Sequence, residues 1–275
     1  MNCNLVWLAS YPKSGNTWLR ALFNNYLSDK DQPASIDDLS NHATGDSSVD
    51  QYRNLSETLF DIRDFDRTLA LRATMQFQLS LSGMDRRLVK THCINGFVNN
   101  APLINADLTQ RAVYILRDPV DMALSMCNHF GGSGREVAAR MASPQNRIPP
   151  SPRVVIQFVG SWSDHVISWV DCTAFPVHVV RYEDMIADTR AAFSGVVAAI
   201  GINPDPVLIE KSVDFSSFAE LKKQEEQTGF KERPDKASSF FRSGRVGEGY
   251  EMLPKDVIDR IRNDHRTIME RFGYL

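Results

Sequence analysis

Tyr11-Pro12-Lys13-Ser14-Gly15-Asn16-Thr17-Trp18 joins two segments of different periodicity. Before it, Leu5-Val6-Trp7-Leu8-Ala9 is a nearly continuous apolar run, the pattern of a strand buried on both faces of a parallel sheet. After it, Trp18, Leu19, Leu22, Phe23, Tyr26 and Leu27 recur at helical spacing, which predicts a helix from about Thr17 to Ser28. The loop between them has the composition of a phosphate cradle. Gly15 lets the backbone come close to a ligand, the N–H groups of Ser14 to Thr17 point off the helix start, and Lys13 adds a point charge. Helix first turns commonly carry Asp or Glu against the macrodipole, whereas Thr17, Trp18, Leu19 and Arg20 leave the positive end free for an external anion. An ordinary capped helix start is the plain alternative, and it requires fewer of these residues.

The chain has 275 residues, 43% of them hydrophobic and 24% charged, as expected for one globular α/β domain over residues 1–275. Two compact halves are the alternative. A net charge of −3 gives no general attraction to nucleic acid or to an anionic membrane, so any basic site is local. Cys3, Cys93, Cys127 and Cys172 are widely spaced and form no C-x-x-C, which suits free thiols in a cytoplasm better than disulfides or a zinc site. There is no 18-residue apolar run, and the first strand begins by about Leu5, so the expectation is a cytoplasmic protein with no membrane anchor.

Which anion the loop takes is decided by order. A Walker A loop places Lys after its second Gly, and here Lys13 precedes the sole Gly15, which disfavours an ATP-dependent kinase. The stretch instead resembles the 5′-phosphosulfate loop of the sulfotransferases that use 3′-phosphoadenosine 5′-phosphosulfate (PAPS), with Asn16 in place of the common Thr. The resemblance implies a three-layer α/β/α fold with a central, mainly parallel sheet and a P-loop-like phosphate-binding loop. It implies that Lys13 meets the bridging oxygen of the leaving phosphate, that Ser14, Gly15, Asn16 and Thr17 line the donor, and that Trp18 packs on its adenine. PAPS would be the co-substrate, 3′-phosphoadenosine 5′-phosphate (PAP) the product, and no metal is expected because no acidic cluster stands beside the loop.

Further matches follow in the family's order. Arg87-Leu88-Val89-Lys90-Thr91-His92 reads as a short strand with a polar end, and ligands collect at the carboxyl ends of parallel strands. Lys90 and His92 are two residues apart and share a face if the strand persists. Lys-Thr-His resembles the family segment that carries the general base, His92, and a supporting Lys90. Ala112 to Leu116 is the clearest buried strand, and Asp118-Pro119 is a helix start that predicts a helix to about Phe130. Arg117 with Ser125 eight positions later resembles the 3′-phosphate-binding motif; a surface ion pair is the plain reading of Arg117.

Tyr182, in Tyr-Glu-Asp-Met after the apolar run from Val177, resembles the family's contact near the adenine, and Ser216-Ser217-Phe218 resembles the segment that seats the adenosine. Phe240-Phe241-Arg242-Ser243-Gly244 resembles the C-terminal nucleotide motif, with Ser243 where the family has Lys. The resemblance thus makes Phe241, Arg242, Ser243 and Gly244 donor-binding, while the substitution at Ser243 removes one expected cation. The glycines there suggest a mobile lid.

Elsewhere the pattern is less specific. Residues 29–66 show no clear periodicity and are assigned to the acceptor side, as are 130–152 and 228–240. Helices are expected over about Leu69–Leu81, Val154–Val170, Thr189–Ile200, Val207–Val213 and Pro254–Phe272, a strand over 177–184, and a solvated mixed-charge loop over 222–236. Phe77, Phe130 and Phe230 point to an apolar or aromatic acceptor, and the opening loop is similar to that of the glycopeptide antibiotic sulfotransferases, a resemblance that implies a bacterial natural product of that kind. The partner is then a small molecule, with no nucleic acid or membrane. The family's short dimerisation motif has no clear match, and a homodimer is an open alternative. A nucleotide-dependent kinase and a non-catalytic nucleotide-binding protein are the rival functions.

Overall fold

A computed structural model describes residues 3–56, 59–234, 237 and 239–275. Asp235 and Lys236, at the end of the mixed-charge run, lie outside them. The strands in chain order are β1 (Leu5–Ser10), β2 (Ala43–Gly45), β3 (Arg87–Thr91), β4 (Phe97–Val98), β5 (Ala101–Pro102), β6 (Thr109–Leu116), β7 (Arg147–Ile148), β8 (Gln157–Phe158) and β9 (Val177–Arg181). Five of them form one sheet in the order β2-β3-β1-β6-β9, and all its pairings are parallel.

The apolar run around Trp7 explains why β1 is central. Leu5, Trp7 and Ala9 face one core with Ala112, Tyr114 and Trp162, while Val6 and Leu8 face the other with Leu19, Phe23 and Phe193. Both faces are covered by helices, giving the expected three layers. The Asn16–Ser28, Thr189–Ala199 and Pro206–Phe215 helices cover one face; Pro119–Phe130, Gly134–Met141, Trp162–Val170 and Lys255–Asp264 cover the other.

Parallel pairing puts the carboxyl ends of β1, β3, β6 and β9 at one edge. Ala9 pairs with Thr91, Ser10 with Ile115, and Leu116 with Arg181, so the residues that follow each strand converge there. The chain first builds the β3 side of β1 and then crosses to the β6 side, which makes that edge a topological switch point.

Several expectations are corrected. The strand expected over 177–184 stops at Arg181, because Tyr182–Ala187 turns helical with Glu183 and Asp184 in its first turn. The amphipathic run from Val154 is helical only over Trp162–Val170; its first part is extended, with Val154 bridged to Ser48 and Gln157–Phe158 paired with Arg147–Ile148. Ser161 caps the helix and marks the break by accepting from the Asp164 N–H. The C-terminal helix is broken at His265, which separates Lys255–Asp264 from Arg266–Arg271. The helix expected from Leu69 begins earlier, at Phe65, because Asp64 accepts from the Arg67 N–H. The mixed-charge run is no plain loop, since Phe218–Thr228 is a helix and its Glu225 is buried.

Candidate active site

One cavity of about 890 Å³ opens at the carboxyl edge, near the upper end of the size range of ligand pockets. Its lining includes Lys13, Gly15, Asn16, Thr17, Trp18, Lys90, His92, Arg117, Ser125, Tyr182, Phe218, Phe241, Arg242, Ser243 and Gly244. Two of the sequence-derived residues do not line it. The Ser14 hydroxyl turns inward to Met122 at 3.3 Å, and Ser216 is fully buried, its carbonyl accepting from the Trp18 indole N–H at 2.9 Å.

The loop is built to hold backbone donors outward. Gly15, with φ 104°, precedes the Asn16–Ser28 helix, whose first turn carries no acidic residue. A Cβ at Gly15 would lie 2.7 Å from the Tyr182 ring, so glycine is required both for the turn and for that contact. Lys13 also has a left-handed backbone, at φ 72°. Its ammonium lies 3.2 Å from His129 Nδ1 and 4.1 Å from the centre of the Phe240 ring. Burial, with Arg117 adding to it, lowers its pKa to about 7. The same burial, followed by Lys13, lowers His129 to about 3 and keeps that ring neutral.

Arg117 stacks at 4.1 Å over the Tyr182 ring and donates to the Lys13 carbonyl at 3.1 Å. Its Nε is buried with no hydrogen-bond partner among the described residues. Arg242 and Ser243 both engage the Glu248 carboxylate, with the Ser243 hydroxyl at 2.6 Å. Those donors hold Glu248 down to about pKa 2, Arg242 most of all. The glycine-rich segment is pinned instead of loose. Asp121 accepts from the N–H groups of Gly247 and Gly249 at 2.7 Å each, and the Tyr250 hydroxyl donates to Asp118 at 3.0 Å. Gly249 permits a close approach, since a Cβ there would lie 2.5 Å from the Val120 carbonyl oxygen.

His92 sits just past the end of β3, and its Nδ1 is 2.8 Å from the Ser10 carbonyl oxygen. A carbonyl only accepts, so Nδ1 carries the proton and Nε2 keeps its lone pair. Burial, reinforced by Lys90, lowers His92 well below its ordinary value, so the ring is neutral at physiological pH. Lys90 is itself lowered by burial. The strand end beneath them is tied down by Asp46, which accepts from Thr91 Oγ1 at 2.8 Å and from the buried Arg72 guanidinium.

Sequence reasoning missed several lining residues. His129 lies one helical turn beyond Ser125, a spacing that was available in the sequence. Glu225 was assigned to solvent, yet its carboxylate accepts from the Phe240 and Phe241 N–H groups at 2.7 and 2.9 Å and so shapes the wall. Glu232 also lines the cavity, paired with Arg20 at 2.7 Å. Of the three phenylalanines taken as acceptor hints, only Phe130 faces the cavity. Phe77 does not line it, and Phe230 packs in a small core with Leu221. Among the described residues no group of His, Cys, Asp and Glu has the clustering needed to hold a metal ion.

Comparison with known proteins gives this arrangement its context. The family model described as "Sulfotransferase domain" matches residues 4–273. Cytosolic sulfotransferase 16 of Arabidopsis thaliana is 27% identical over 268 residues, covering 92% of this chain and 72% of the relative. The 3-alpha-hydroxysteroid sulfotransferase of Cavia porcellus is 23% identical over 262 residues, covering 95% and 77%. Among solved structures, mouse sulfotransferase SULT7A1 complexed with PAP superposes with a TM-score of 0.61 at 20% identity, covering all of this chain and 90% of that one. Retinol dehydratase in complex with androsterone and PAP gives a TM-score of 0.65 at 16% identity, covering 98% and 81%. At these identities the two structures speak to a shared fold.

Proposed function

The chain belongs to the sulfotransferase family, and from that premise we propose how its residues divide the work of sulfuryl transfer from PAPS. The enzyme uses PAPS as co-substrate and releases PAP. In our reading Lys13 and the N–H groups of the 13–17 loop hold the phosphosulfate end. Arg117, Ser125, Arg242 and Ser243 hold the 3′-phosphate, and Trp18, Tyr182, Phe218, Phe241 and Gly244 enclose the adenosine. That Arg117, Ser125, Arg242 and Ser243 line one cavity supports this assignment, since a guanidinium fork suits a phosphate. Ser14 contributes its backbone N–H, and Ser216 acts by holding Trp18.

The acceptor is a small molecule with a hydroxyl (or amine) group, in our reading a hydroxyl. As its oxygen attacks sulfur, His92 Nε2 takes the hydroxyl proton, the new O–S bond forms, and the bond from sulfur to the phosphate oxygen breaks. The electron pair leaves on the 5′-phosphate of PAP, where Lys13, assisted by Lys90, stabilises it. Holding the two reactants in line supplies much of the acceleration, as in phosphoryl transfer. The observation that carries His92 as base is its Nδ1 contact to the Ser10 carbonyl, which leaves Nε2 as the acceptor. We read residues 1–275 as one domain working in the cytoplasm. The names of the Arabidopsis relatives support that location, and no helix among the described residues is long and apolar enough to cross a membrane.

The test is His92→Ala. Turnover should fall by roughly 10²-fold or more while PAP binding, followed by calorimetry, stays within about twofold of the parent. Undiminished turnover would remove His92 from the mechanism.

A further inference from the structure

Two loops meet over the part of the cavity beyond Lys90 and His92. One is the 151–155 segment, which runs antiparallel to 47–49. The Val49 N–H donates to the Arg153 carbonyl at 3.0 Å and the Val155 N–H to the Ser47 carbonyl at 2.9 Å. The other loop is 229–234. Arg153 crosses between them, its guanidinium donating to the Lys231 carbonyl.

The charges on this wall are unequal. Arg20, Lys90, Arg153, Lys231 and Arg233 face the cavity together with two carboxylates, Glu232 and Asp46, and Arg233 lies 3.8 Å from the buried Glu225. Arg20 takes Glu232, and the buried Arg72 takes Asp46. Among the described residues, the one carboxylate beside the Lys231 ammonium is Asp37, at 3.8 Å. Arg153 has no carboxylate within ion-pair distance among the described residues; its hydrogen-bond partner is a neutral carbonyl. The rest of this wall mixes Ser48 and Gln157 with Ile148, Pro149, Pro152 and Val154. The Ser47 and Ser151 hydroxyls are engaged within the protein, Ser47 donating to Asp46 at 2.7 Å and Ser151 accepting from the Arg153 and Val154 N–H groups at 3.3 Å each.

We propose that the acceptor carries an anionic group, held by Arg153 while a hydroxyl of the same molecule reaches His92. This rests on the reading of His92 as the base, and it narrows the acceptor to hydroxyl-bearing acids. Arg153 supplies the planar pair of donors that a carboxylate, sulfate or phosphate accepts.

The experiment uses the PAP-loaded protein and two probes, para-nitrophenyl β-D-glucuronide and para-nitrophenyl β-D-glucopyranoside, which differ by a carboxylate in place of a hydroxymethyl group. Calorimetry should find the glucuronide tighter by roughly tenfold, the size of one charge-assisted hydrogen bond. Arg153→Gln should abolish that preference and leave PAP binding unchanged, and Arg153→Lys should restore part of it. Equal affinities, a preference that survives in Arg153→Gln, or binding of neither probe by a protein that still binds PAP overturns the proposal. Failure to bind PAP at all would instead sink the donor assignment, so the two failures are distinguishable.

Discussion

Lys13 is a charge held where charge is expensive. Burial and the neighbouring Arg117 bring its pKa to about 7, so in the ligand-free cavity it is half deprotonated near neutrality. His129, lowered to about 3, stays neutral and accepts from Lys13 without titrating in the same range. An arriving phosphate reverses the balance, because an anion favours the ammonium. Binding below about pH 7 therefore finds Lys13 already charged, whereas binding above it must also take up a proton. The affinity for PAP should be full on the acid side and fall as pH rises, by up to roughly tenfold per unit. A phosphate's own second ionisation, near about pH 6, lies below this window. Calorimetry between about pH 7 and 9, in buffers of different ionisation enthalpy, should register the proton uptake, and Lys13→Met should flatten the profile. A flat profile in the parent protein would mean that Lys13 does not meet the nucleotide.

At the next scale, the end of β3 is held by a buried ion pair as well as by its pairing with β1. Asp46 sits just past β2; its N–H donates to the Lys90 carbonyl at 3.0 Å, and its carboxylate accepts from Thr91, Ser47 and Arg72. Arg72, on the Phe65–Ser80 helix, is also bound to the Leu103 carbonyl at 2.8 Å. Asp46→Ala would leave that guanidinium buried and uncompensated, which should cost about 3–5 kcal/mol in urea unfolding. Asp46→Asn combined with Arg72→Met should recover much of the loss, because removing both partners leaves no unpaired charge. A cost below about 1 kcal/mol for Asp46→Ala would show that water or a shifted neighbour replaces the carboxylate.

This pair also marks where the sequence stops being legible. The Leu5–Ala9 run, the loop after it and Asp118-Pro119 declare themselves locally, since strand burial, turn chemistry and capping act within a few residues. Asp46 and Arg72 carry no local signal; each is an ordinary polar residue until β2 and the helix bring them together. Glu225 and Glu232 were lost for the same reason, since a mixed-charge run looks solvated until its partners Phe240, Phe241 and Arg20 are placed. The Gly134–Met141 helix was legible and went unread: Ser133 and Glu136 form a capping box inside the 130–152 stretch assigned to the acceptor side.

For the whole molecule, the proposed donor site is drawn from residues as far apart as Lys13 and Arg242, on the loops that leave β1, β6 and β9 and on the C-terminal segment. The isolated chain carries a carboxylate, Glu248, on the donors proposed for the 3′-phosphate. A ligand that bridges these elements favours the folded state by mass action, by about 2.7 kcal/mol at one hundred times its Kd. For a protein of this size that corresponds to a rise in Tm of roughly 5–10 °C. AMP, which lacks the 3′-phosphate, should give a smaller rise at equal concentration, because it leaves Arg117 and Arg242 without their anion. A 3′-phosphate bound as proposed would also displace Glu248 from Arg242 and Ser243, and breaking that contact would offset part of its binding energy. Glu248→Gln weakens the internal competitor while leaving the donors in place, and it should widen the gap in Tm between PAP and AMP. A gap that narrows would mean that Glu248 holds Arg242 in its binding position; no gap in the parent would mean that the 3′-phosphate is not gripped.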